Sequence, residues 1–176
     1  MNIFIVTALA AVIQFGCGEK VKPSVLPAVD SKTLPQQESW NSRITVSDSG
    51  MVRAVIDAGY FSVMENSERT NMSRGVKALM FDRTGKSQTW MTSDEAAIDE
   101  NTNNLEAHKN VVVWSADSTF LHTEDLYWDN RRQVIYTPAF VRITSPKEHL
   151  QGHGFESDQS LRNYKIFRVT GETRGE

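Results

Sequence analysis

"WMTSDEAAIDENTNNLEAHKNVVVW" (residues 90–114) and "FLHTEDLYWDNRRQVIYTPAFVRIT" (residues 120–144) align without a gap at a shift of 30 residues. Trp90 falls on Phe120, Met91 on Leu121, Ile98 on Trp128, Leu105 on Ile135, and Val111 and Val113 on Val141 and Ile143. Asp99 falls on Asp129, and the acid pair Asp94-Glu95 on Glu124-Asp125. A whole period of such matches marks an internal repeat. Shifted by 29, "GFESD" (154–158) overlays "DLYWD" (125–129), which makes the chain's end a third copy. A weaker copy lies upstream, where "VRAVIDAGYF" (52–61) leads by a variable loop into "VKALMFDRTGKS" (76–87).

Each copy is two short runs rich in Val, Ile, Thr, Tyr, Phe and Trp, separated by turn clusters such as "DENTNN" and "WDNRR". That punctuation is the signature of an all-β domain. An even repeat preserves side-chain parity, so Val111, Val113, Val141 and Ile143 are expected on one face of a continuous sheet. One unit alone cannot hide its inner face, whereas a stack of units buries a long apolar interior and leaves unpaired strands at its ends. The expected fold is an elongated, open β-jelly roll, or β-taco, of antiparallel strands built from repeats of about 30 residues. Pro138 inside a strand-like run predicts an edge or a bulge there.

The chain of 176 residues fits one domain with a real core. A net charge of −3 provides no basic field for a nucleic-acid backbone, so nucleic acid is excluded as a partner. The lone cysteine, Cys17, leaves no intrachain disulfide framework. It closes an apolar run from Ile3 to Phe15, shorter than a membrane-spanning helix and matching the core of a secretory signal. Gly16-Cys17 resembles a bacterial lipobox with the cysteine as the lipidated residue, an uncleaved anchor or ordinary cleavage being the alternatives. Residues 18–39, with Pro23, Pro27 and Pro35, read as a flexible tether. The expected organisation is an anchor over 1–17, this tether, a β domain over 40–171 and a tail over 172–176.

His108, His122, His149 and His153 form no metal-ligand spacing: His149 and His153 share a face only on a helix, which Gly152 and Gly154 disfavour. His122 and Glu124 read instead as an exposed polar pair on one strand face. The acid pairs put only one carboxylate each inward, and their recurrence fits sheet design better than glycosidase chemistry. No enzyme, metal or cofactor is expected. The aromatic residues divide between ligand-lining and plain core.

In their order, "SGMVRAVIDAGYF", "GVKALMFDRTGKSQTWMTSDEAAID", "NLEAHKNVVVW", "FLHTEDLYWDNRRQVIYTPAFVRITSP" and "LQGHGFESD" resemble the LptC family, whose fold is shared with LptA. The resemblance covers about Ser47 to Gly171, and departs from the family in a long loop at Glu65–Arg74. It implies a periplasmic protein anchored to the inner membrane that takes lipopolysaccharide from an LptB/F/G-like ABC transporter and passes it to an LptA-like bridge. Acyl chains would ride in the interior, where Val111, Val113, Val141, Ile143, Leu105, Ile135, Phe120 and Trp128 are the expected lining. It also implies that the C-terminal strand edge, with Tyr164, Ile166, Arg168 and Gly152, pairs with the next protein by β-augmentation. The competing reading is an adaptor lipoprotein of the same fold that binds proteins through its edges and carries no lipid.

Overall fold

A computed structural model describes residues 35–64, 67–82, 84 and 88–174, all within one unit, Ser31–Glu176. Cys17, the anchor segment and the tether up to residue 34 lie outside the described residues. The strands are β1 (Pro35–Asp48), β2 (Met51–Met64), β3 (Arg69–Phe81), β4 (Gln88–Ser93), β5 (Glu95–Asp99), β6 (Leu105–Ser115), β7 (Phe120–Asp129), β8 (Val134–Thr144), β9 (Glu148–Asp158) and β10 (Tyr164–Arg174). They form one antiparallel sheet in the order β1-β2-β3-β4-β6-β7-β8-β9-β10, with β5 pairing β3 and β6. The fold is therefore all-β, an open jelly roll whose first and last strands each have one neighbour.

The repeat is a hairpin. β5–β6, β7–β8 and β9–β10 each close through a turn begun by the recurring aspartate. Asp99 Oδ1 accepts from the amides of Asn101 and Thr102, Asp129 Oδ1 from that of Arg132, and Asp158 Oδ1 from those of Ser160 and Arg162. Aspartate suits this place because its short carboxylate reaches backbone N–H groups two to four residues on.

Strands β1 and β3 to β9 are also interrupted at one level. The irregular positions are Asn41 on β1, Arg74-Gly75 on β3, the break at Asp94 between β4 and β5, Lys109-Asn110 on β6, Glu124 on β7, Pro138-Ala139 on β8 and Gly154 on β9. Asn41, Arg74, Gly75, Lys109, Asn110 and Gly154 have positive φ. Bulges bend a strand, and a row of them creases the sheet so that one half faces the other. Hydrogen bonds cross between the facing halves: Thr89 Oγ1 donates to the Gln159 carbonyl at 2.8 Å, and Gln159 Nε2 donates to the Phe81 carbonyl at 3.2 Å.

The crease decides which side chains are buried. On β7 the inward residues are Leu121 and Thr123 before it, and Leu126 and the half-buried Trp128 after it, so parity slips by one at Glu124. On β8 the bulge at Pro138-Ala139 leaves parity unchanged, and Ile135, Thr137, Val141 and Ile143 all point inward. The expected bulge at Pro138 is thus present, in an interior strand of the sheet.

Three boundaries differ from the sequence reading, one of them the end of β10 at Arg174, inside the expected tail of 172–176. β1 begins at Pro35, inside the stretch read as tether, at the first position of an edge strand, where a missing N–H is tolerated. Residues 69–74 of the expected long loop are strand: β3 starts at Arg69 and pairs with both β2 and β5.

Candidate functional site

The interior between the halves is closed at its middle and open at two places. Val111, Val113, Leu121, Ile135, Val141, Ile143, Phe155 and Leu161 are at most 1% exposed and pack into one cluster. On one side lies a cavity of about 240 Å³ lined by Val46, Ala54, Ile56, Met80, Ile98, Leu105 and Trp128, with a rim of Asp48, Arg53, Asn130 and Gln133. On the other lies a cleft of about 1240 Å³ bordered by Asp117, Thr119, Ser145, Lys147, Glu148, Ser157, Arg162 and Tyr164. The two openings differ in chemistry: the smaller has an aliphatic and aromatic floor, and the larger is ringed by hydroxyls and charges.

Eight residues were expected to line the interior. Leu105 and Trp128 line the apolar cavity. Val111, Val113, Val141, Ile143 and Ile135 belong to the closed middle. Phe120 is 39% exposed and lies on the outer face, paired with Trp114, whose ring stacks on Trp90 at 6.2 Å. The one-residue slip at Glu124 explains its placement, because Phe120 and Trp128 share parity in sequence but not across the crease. Leu121, on the neighbouring column, is the inward residue of that repeat, as Met91 is of the repeat before it.

In the larger cleft, burial pushes the Tyr164 phenol up to about 12, helped by its hydrogen bond to Glu148 and by that carboxylate's charge. Burial works against ionisation of Asp158, but hydrogen bonds from Ser160, Asn163 and the Arg162 amide outweigh it and hold the carboxyl below its usual range. A lowered pKa means that this group stabilises the fold above its unfolded value of 3.8, and that the contribution is lost as pH falls through the folded value. Asp158→Asn is therefore expected to lower stability at neutral pH and to flatten its fall below about pH 4. Urea midpoints of both proteins across pH 2–7 check this, and parallel curves would contradict it.

Among the described residues, β10 is an edge strand, paired only with β9. Tyr164 and Ile166 pack against the core cluster and Arg168 is exposed, so these residues do lie along a free edge. Gly152 is buried in β9 beneath that strand. A Cβ there would meet the Arg168 carbonyl oxygen at 2.2 Å and Ile166 Cγ2 at 2.7 Å, so its part is to let β10 approach, not to touch a partner. Phe167 and Val169, 56% and 53% exposed on β10, and Trp40, 55% exposed on the other edge strand, went unnoticed in the sequence reading. The alternation in "YKIFRV" puts apolar residues on both faces of β10, which was the available signal.

Among the described residues, no three His, Cys, Asp or Glu side chains are grouped to hold a metal ion. His108 instead sits on the outer face, its Nδ1 at 2.7 Å from Asp125.

A family model described as "Lipopolysaccharide-assembly, LptC-related" matches residues 22–173. The chain belongs to the LptC family. The match takes in every described strand but the last residue of β10, together with a stretch before β1. A search of curated proteins found no match. LptC membership makes this chain a member of a family of lipopolysaccharide-transport components.

Proposed function

We propose that this LptC-family protein is anchored to the inner membrane, takes lipopolysaccharide from an LptB/F/G-like ABC transporter on the periplasmic side and passes it to an LptA-like bridge, with acyl chains held between the two halves of the sheet. The observation that carries the reading is a cavity of about 240 Å³ beside the closed middle, lined by the buried Ile56, Met80, Ile98 and Leu105 and the half-buried Val46 and Trp128. About ten methylenes, at roughly 0.8 kcal/mol each, give an acyl chain about 8 kcal/mol for leaving water. That is ample for capture, so release must be driven by energy spent elsewhere. The free edge of β10 provides backbone donors and acceptors for the next protein, and that of β1 does the same at the opposite end.

Conditional depletion tests the role. Newly made lipopolysaccharide is expected to accumulate at the inner membrane; normal arrival at the outer membrane would refute it. The closed middle of the interior favours a second reading, an adaptor that joins neighbours through β1 and β10 and never holds lipid.

A further inference from the structure

The three hairpin turns of the repeat are not equivalent. In β5–β6 and β7–β8 the residue with positive φ is polar: Asn103 at 55° and Gln133 at 58°, neither buried. In β9–β10 it is Leu161, at 58° and 1% exposed. A leucine pays a steric penalty in the left-handed region, and this one is turned inward to join the core cluster. The same turn reaches across the interior through Gln159, which bonds to both Thr89 and Phe81 on the opposite half. Gln159 borders the apolar cavity, and Leu161, two residues on, borders the polar cleft. One short turn therefore stands between the two openings.

We propose that the turn 158–163 is a gate between two compartments of the interior, with Leu161 as its plug and Gln159 as its latch. The proposal rests on the lipid-carrying reading above and adds where a chain must stop. An acyl chain seated on Met80 and Leu105 ends against the turn. Withdrawal of Leu161 joins the apolar cavity to the cleft that opens beside β10, the edge offered to the next protein. The backbone strain at Leu161 is released when the turn leaves its seat, so opening costs less than for an unstrained plug. The positive-φ residues of the other two turns, Asn103 and Gln133, border the apolar cavity but do not enter the core cluster, so neither serves as a plug.

The test uses full-length protein in cells carrying a photo-crosslinking amino acid at Met80, in the cavity, or at Lys147, beside the cleft, with lipopolysaccharide adducts as the readout. With Leu161 and Gln159 intact, adducts are expected mainly at Met80. Leu161→Gly removes the plug and suits the backbone angle, and Gln159→Ala removes the side-chain half of the latch while leaving the core whole. In either variant the adduct at Lys147 is expected to rise about tenfold relative to that at Met80, the ratio that about 1.4 kcal/mol gives. An unchanged ratio in Gln159→Ala, and in Leu161→Gly shown folded by circular dichroism, overturns the gate and leaves lipid carriage standing. Absence of adducts at Met80 in the parent protein overturns both.

Discussion

Gly152→Val is expected to strip β10 from the sheet. The added side chain must occupy space where the Arg168 carbonyl oxygen stands 2.2 Å from a Cβ, and the obstacle is backbone, which cannot rotate aside. Overpacking of this kind costs about 3 kcal/mol or more. Since β10 pairs with nothing but β9 among the described residues, the cheapest escape is local detachment of that strand. Loss of amide exchange protection along residues 164–171, a lower urea midpoint and loss of docking by the next protein are expected together. Protection at the parent level would contradict the close approach.

Val141→Arg is expected to prevent folding. The family resemblance placed Val141 among the residues lining the interior. Its side chain is instead 0% exposed in the closed middle, in one core cluster with Val111, Ile143 and Leu121. An unpaired guanidinium there has no water and no carboxylate, a situation that costs about 3–5 kcal/mol or more. That is a large part of the stability of a domain this size, and both lipid loading and partner docking should fail. The selective substitution is Val46→Arg: Val46 is half-buried at the cavity wall on the edge strand β1, where a long side chain can reach solvent with its charge. Its urea midpoint is expected to stay within about 1 kcal/mol of the parent while lipid adducts fall. A soluble, folded Val141→Arg protein would contradict the closed middle.

The repeat was legible because three hairpins use the same aspartate, the same apolar columns and nearly the same length. Strand existence, antiparallel order and the inward set Val111, Val113, Val141 and Ile143 follow from that pattern alone, and the family was reachable from the order of its pieces. The crease was not legible. A bulge is one or two residues whose backbone angles differ, and at Lys109-Asn110 or Glu124 no glycine or proline announces it. Its consequence, the outward turn of Phe120, was therefore invisible to a parity count. Leu161 was missed for a related reason: "SDQSLRNY" reads as polar turn chemistry, and a single leucine in it carries no period. The start of β1 at Pro35 was hidden by a proline whose missing N–H is harmless only because the strand lies at an edge.

The central claim, an interior that holds acyl chains, is tested most directly by photo-crosslinking at Ile98 and Leu105 in the cavity and at Val112 and Arg142 on the outer face. Lipopolysaccharide adducts at the first pair and none at the second are the expected result. Adducts at neither pair, in protein that is folded and docks its neighbours through β1 and β10, would contradict lipid carriage and leave the adaptor reading in its place.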